Sequence, residues 1–152
     1  MNDLIDAVGA TQASTPNDTV LLVKDFYKVA DARPFKFSDL TAFYAADFVD
    51  HHPNPAIPSD APYGLLYQLL AEGAPDSVHN IDMILPSGDD TAIVVWSYEG
   101  TNTDALFQIP AQAPALPFTI AGIEIWRSKD GKFTEMWHVE DIAGLMQQLS
   151  AK

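Results

Sequence analysis

Phe118-Thr119-Ile120-Ala121-Gly122-Ile123-Glu124-Ile125-Trp126-Arg127-Ser128 runs into Lys129-Asp130-Gly131-Lys132 and then into Phe133-Thr134-Glu135-Met136-Trp137-His138-Val139. Two β-branched and aromatic segments flanking Asp-Gly read as a long strand, a tight hairpin and its return strand. Working outward, Thr91–Glu99 is the strongest further strand. Asn80–Leu85 precedes it across the turn Ser87-Gly88-Asp89-Asp90, and Thr103–Ile109 is a weaker strand before a Pro- and Ala-rich loop reaching Pro117. Ile142–Leu149 reads as a C-terminal helix. Apolar residues stand at both parities of the long strands, so one face is expected under helices and the other under a curl of the sheet, a pocket or a second subunit.

Upstream of residue 74 the period changes from 2 to 3.6. Asn17 or Asp18 caps a helix reaching Ala30, with Val20, Val23, Tyr27 and Ala30 on one stripe. A second helix is expected from Ser38 or Asp39 through Leu40, Phe43, Tyr44 and Phe48. A third follows Asp60, with Pro62 near its first turn, and ends at Gly73. Between them, Asp50-His51-His52-Pro53-Asn54-Pro55 is an extended loop. Helices followed by four or five antiparallel strands give an α+β chain. Residues 1–16, with Leu4, Ile5 and Val8 at helical spacing, form a loosely docked N-terminal segment, and residues 17–152 form one domain.

The 152 residues are 47% apolar and 11% aromatic, enough for one packed core. Eight basic residues against 21 acidic ones give a net charge of −13, which disfavours binding to nucleic acid or to an anionic membrane surface. No Cys is present, so disulfides and thiolate chemistry are excluded. Phosphate-binding, dinucleotide-binding and nucleophile-elbow motifs are missing. With neither a signal-type start nor a membrane-length apolar run, the expectation is a cytoplasmic protein.

The motifs, taken in order, resemble a known family. They are Phe48-Val49-Asp50-His51-His52-Pro53, Gly100-Thr101-Asn102-Thr103, Gly122-Ile123-Glu124-Ile125-Trp126-Arg127, Asp130-Gly131-Lys132, Glu135-Met136-Trp137-His138-Val139-Glu140-Asp141 and Leu145–Leu149. Over roughly residues 17–150 the chain resembles the SnoaL-like polyketide cyclases of the NTF2-like superfamily. The resemblance implies a cone, in which a strongly curved antiparallel sheet with helices packed over it encloses a pocket. It also implies an intramolecular aldol ring closure without metal or cofactor, in which an aspartate removes a C–H proton next to a carbonyl. The matching aspartate is Asp141. Asn102 departs from the family, which often carries a histidine there.

Each candidate has a structural alternative. Asp141, directly before an apolar helix, is either the acid/base or an N-cap. His138 is either a pocket donor to an enolate oxygen or a core histidine. A turn centred on Asp130-Gly131 puts His138 opposite Ile123 and Glu124 opposite Trp137, and a slip of one residue exchanges the faces. His51 matches a pocket-side histidine of the family, and Asn102 could bond an enolate oxygen. Glu124 is a pocket carboxylate or a solvent-facing partner of Arg127. Trp96, Tyr98, Trp126 and Trp137 are core residues or an apolar wall for a ring-bearing ligand. A metal site would need convergence of His51, His52, His79 and His138 with nearby carboxylates; none is assigned. The expectation is a cofactor-free enzyme acting on a hydrophobic carbonyl compound, with Asp141 catalytic and His51, Asn102, His138, Trp96, Tyr98, Trp137 and Glu124 binding the substrate. The alternatives are a non-catalytic binder on the same fold and an isomerase or epoxide-hydrolase-like activity. A homodimer is expected from the two-sided apolar strands.

Overall fold

A computed structural model describes residues 15–150. The N-terminal segment with Leu4, Ile5 and Val8 lies almost wholly outside the described residues. The order is α1 (Asp18–Ala30), α2 (Phe37–Thr41), β1 (Tyr44–Asp50), α3 (Leu65–Gly73), β2 (Val78–Ser87), β3 (Thr91–Asn102), β4 (Leu116–Lys129), β5 (Lys132–Glu140) and α4 (Ile142–Leu149). The strands form one open sheet ordered β1-β5-β4-β3-β2. The pairs β2–β3, β3–β4 and β4–β5 are antiparallel, and β1 runs parallel to β5. The chain is therefore α+β, with β1 the single departure from the antiparallel expectation.

Asn17 caps α1 through its side-chain oxygen, which accepts from the Val20 N–H at 2.9 Å. Its amide also donates to the carbonyls of Gly88 and Thr91, tying the helix start to the β2–β3 turn. Val20, Val23, Phe26, Tyr27 and Ala30 are buried against the inner face of the sheet. There Phe26 meets the rings of Trp126 and Phe133 at 5.2 and 5.4 Å. The β4–β5 turn forms as read: Asp130 (φ 51°) and Gly131 (φ 73°) both occupy the left-handed region that a two-residue hairpin requires.

Three expectations are corrected. Phe43–Phe48 is not the second half of a helix, because α2 stops at Thr41 and the chain pairs with the free edge of β5. The Phe133 N–H donates to the Phe43 carbonyl at 2.8 Å and the His51 N–H to the Met136 carbonyl at 2.9 Å. Aromatic and β-branched residues accept either state locally, and the unpaired strand edge decides. Thr103–Ile109 is not a strand: Leu106 and Ile109 exchange two backbone hydrogen bonds around left-handed Phe107 and Gln108. The third helix begins at Leu65 rather than just after Asp60, with Gly64 at φ 91° as its N-cap residue.

The fourth correction concerns register. Lys129 pairs with Lys132 and Ser128 with Phe133, as the turn demands, but Arg127 pairs with Glu135. Thr134 is the extra residue of a β-bulge, and beyond it every pairing slips by one. His138 consequently lies opposite Glu124, and Trp137 opposite Ile125. Glu124, Trp126, Met136 and His138 share the inner face, whereas Ile123, Ile125, Trp137 and Val139 share the outer one.

Candidate active site

The inner face of the sheet, α3 and the Pro-rich segment after β1 surround a cavity of about 540 Å³. Its wall is largely aromatic and aliphatic. The carboxyl and imidazole side chains on it are Asp50, Glu124, Glu140, His79 and His138, and among the described residues neither Lys nor Arg lines it.

His138 is the centre of one polar cluster. Its Nε2–H donates to Asp50, with the two carboxylate oxygens at 3.1 and 3.2 Å, and its Nδ1–H donates to Glu140. Burial alone would pull the imidazole down, but these two hydrogen bonds and charges outweigh it and raise the pKa from 6.5 to about 10. Asp50 shows the reciprocal effect: burial pushes it up, while hydrogen bonds from His138 and the His52 N–H bring it below the ordinary carboxylate value. The two opposite shifts favour an imidazolium on His138 beside a carboxylate on Asp50. Asp50 reaches it because β1 pairs with β5 in register with Met136.

Glu124 is 3% exposed and walls the buried end of the cavity. Its Oε2 accepts from the Tyr27 hydroxyl and, at 2.7 Å, from the Trp126 indole N–H. Burial raises its pKa, and these two donors offset part of that rise. The same burial, aided by the charge of Glu124, pushes the Tyr27 phenol well above its usual value. Trp96 and Tyr98 also line the cavity. Gly122 lets the Trp96 indole lie against β4: a Cβ there would sit 2.2 Å from the ring. His79 completes this end. Its Nδ1–H donates to Asp31 at 2.8 Å, its backbone N–H donates to the second oxygen of the same carboxylate, and its ring lies 4.3 Å from that of Tyr98.

Four expected site residues lie elsewhere. Asp141 is exposed and turned back over the first turn of α4, where its Oδ1 accepts from the Gly144 N–H at 2.8 Å; it is not on the cavity wall. The need of the α4 N-terminus for an acceptor orients it. Asn102 is buried but off the cavity, donating to the Asp104 carbonyl. His51 stacks on Trp137 on the outer face, with centroids 4.3 Å apart and planes 3° from parallel, and bonds to Glu135 at 2.9 Å. Arg127 covers the same indole at 5.4 Å and donates to Glu135 at 2.7 Å, so Trp137 is part of an exterior ion-pair cluster. Hydrogen bonds from His51 and Arg127 hold the Glu135 carboxyl below its usual value. Of the expected residues, Glu124, His138, Trp96 and Tyr98 meet in the cavity. Sequence reasoning missed Asp50, Glu140 and the Asp31–His79 pair as site residues. The signal for Asp50 in the sequence is the Asp50-His51-His52 string, in which the aspartate rather than the histidines turns to the cavity. Among the described residues no group of three or more His, Asp or Glu side chains has metal-holding geometry, and no helix is long and apolar enough to cross a membrane.

An α+β sheet with helices over one face and ionisable groups turned into an apolar cavity defines a small-molecule-binding fold. The chain belongs to the SnoaL-like polyketide cyclase family, whose model matches residues 21–149. A candidate polyketide cyclase from Bacillus cereus superposes with a TM-score of 0.67 at 26% identity, covering 87% of this chain and 80% of the other. IdmH from Streptomyces antibioticus, also described as a candidate polyketide cyclase, gives 0.68 at 22% identity over 86% and 96% of the two chains. A candidate SnoaL-like cyclase from Jannaschia gives 0.73 at 16% identity over 93% and 99%. The last two bear on the fold alone. No curated protein matches the chain.

Proposed function

We propose that the protein binds a hydrophobic, carbonyl-bearing small molecule in the cavity and catalyses proton transfer at the carbon next to the carbonyl, followed by intramolecular aldol closure. The observation that carries this is the Asp50–His138–Glu140 cluster on the wall of an otherwise apolar cavity. Asp50 takes the C–H proton and becomes a carboxylic acid. Once protonated, Asp50 gives up its hold on the His138 Nε2–H, which turns to the enolate oxygen while Nδ1–H stays on Glu140; a donor in low dielectric acts most strongly there. The enolate carbon attacks a second carbonyl of the same molecule, and the resulting alkoxide takes back the proton from Asp50. No net proton is gained or lost. This assigns to Asp50 the acid/base role expected of Asp141, on the ground that Asp50 lines the cavity and Asp141 does not.

The test is incubation in D2O with a panel of hydrophobic polyketide, steroid and terpenoid carbonyl compounds, followed by mass spectrometry and chromatography. The reading expects a bound compound to return deuterated next to its carbonyl or ring-closed. Asp50→Asn is expected to lower that rate roughly 100-fold or more, the scale of general acid–base catalysis, while retaining the ligand. A compound bound and returned unchanged in mass and retention time would instead establish a binder without chemistry.

We also propose a homodimer through the outer face of the sheet. Val49, Met83, Leu85, Ile123, Ile125 and Val139 are exposed there, Val139 by 62%. Such a continuous apolar surface marks an association face. Beside this apolar strip the face carries the Arg127–Glu135 and Arg127–Asp90 ion pairs and Asp82, which accepts from the Ser97 hydroxyl, while Ile123, Ile125 and Val139 themselves bring no charge to a second copy.

A further inference from the structure

The buried end of the cavity holds polar atoms that the proton-transfer cluster does not use. Trp96 is 4% exposed and lines the cavity, yet its Nε1–H, a donor only, has no hydrogen-bond partner among the described residues. A buried, unmade donor of this kind costs about 1–3 kcal/mol. Beside it stands His79, whose ring centroid lies 5.5 Å from that of Trp96 at a near-perpendicular 78°. Asp31 accepts the Nδ1 proton of His79 at 2.8 Å, which selects the tautomer whose other nitrogen, Nε2, is the acceptor. The imidazole cannot turn away. Tyr27, Tyr67 and Tyr98 surround it at 4.8, 5.9 and 4.3 Å, and Asp31 is itself held by the His79 backbone N–H.

A fixed donor and a fixed acceptor at one end of a cavity match a group that both accepts and donates, namely a hydroxyl. A carbonyl would satisfy Trp96 and leave His79 unmatched. A carboxylate or phosphate would meet Glu124 at the same end, with neither Lys nor Arg on the wall to offset the charge. We propose that His79 Nε2 and Trp96 Nε1 form a hydroxyl-binding subsite, and that the ligand is a hydrophobic ring compound inserted with a phenolic or enolic O–H leading. The O–H donates to His79 and its oxygen accepts from Trp96. The ring lies among Tyr98, Tyr67 and Trp96, and the reacting carbonyl remains towards His138. Asp31 is a positioning residue that fixes the tautomer of His79.

The subsite rests on the reading of the cavity as a ligand site, and the test separates the two. Calorimetric titration with 1-naphthol and 1-methoxynaphthalene compares one skeleton with and without the O–H. In parallel, the indole N–H resonances of 15N-labelled protein are followed, with Trp96 assigned through Trp96→Phe. The expected result is at least tenfold tighter binding of 1-naphthol and a downfield move of the Trp96 N–H. In His79→Phe, which keeps a ring in the aromatic stack, the preference is expected to fall below twofold, with 1-methoxynaphthalene affinity little changed. Equal affinity of the two probes for the unmodified protein, or an unmoved Trp96 resonance on saturation with 1-naphthol, would overturn the subsite and leave the cavity standing. Binding of neither probe would overturn both. The comparison in the unmodified protein decides the matter even if the His79 variant does not fold.

Discussion

His138 and Asp50 are 88 residues apart in the chain and 3.1 Å apart across the β1–β5 ladder, the imidazole Nε2–H pointing at the carboxylate. The pairing has a pH signature. His138 is raised to about 10 in the folded protein against about 6.5 unfolded, so its contribution to stability is complete below pH ~6.5 and is lost as pH climbs towards 10. Asp50 is lowered, so its contribution is present above its unfolded value near 3.8 and is lost as pH falls through the folded value. Thermal unfolding should be most resistant between about pH 4 and 6.5. His138→Gln should flatten the alkaline limb, removing a slope worth a few kcal/mol in all. An alkaline limb as steep in the variant as in the parent would show that the imidazolium is not held as described.

Asp141 and Asp50 can be told apart by what each loss damages. Asp141→Ala removes the acceptor for the Gly144 N–H and should cost about 1 kcal/mol of stability, the usual value of an N-cap. Ligand affinity and deuterium exchange should stay within twofold of the parent. Melting temperature and exchange rate measured on the same preparations check this. A large loss of exchange with an unchanged melting temperature would return the acid/base role to Asp141.

Gly122 is required by a contact rather than by its backbone angle. The nearest atoms to a Cβ at this position are those of the Trp96 six-membered ring, at 2.2–2.6 Å. The indole is buried between β3, β4 and the cavity and has no free space towards the strand. Gly122→Ala should therefore push the ring into the cavity, costing about 1–3 kcal/mol, as overpacking commonly does, and narrowing the site. Thermal unfolding and near-UV circular dichroism of the Trp signal check this. An unchanged spectrum and melting temperature would mean that the ring is not where it is described.

Local signals carry α1, the β4–β5 hairpin and α4, because caps, period and Asp-Gly turn chemistry all act within a few residues. What failed was decided at longer range. Tyr44–Phe48 has a spacing compatible with a helix, and the unpaired edge of β5, some 90 residues on, makes it a strand. Thr134 gives no sign in isolation that it will bulge. The faces of Glu124, Trp137 and His138 relative to one another all depend on that one residue. Glu124, Trp96 and Tyr98 were recognisable as site candidates because they stand on strong strands among apolar neighbours. The Asp31–His79 pair was not, since its members stand on α1's end and β2, joined only once the helix lies on the sheet.

The outer face supplies a last expectation. Ile123 lies near the middle of β4, 47% exposed, paired with Val95 on one side and Val139 on the other. If a second copy covers this face, light scattering at micromolar concentration should give about twice the 16.6 kDa chain mass. Ile123→Glu places a carboxylate near the middle of a dry interface, opposite the same apolar face of the partner, where an unpaired charge costs several kcal/mol. The variant should scatter as a single chain. It should also keep the His138 cluster and the cavity, since residue 123 faces away from both, so its deuterium exchange per chain should match the parent. A parent that already scatters as a single chain would refute the dimer and leave the exposed strip without an occupant.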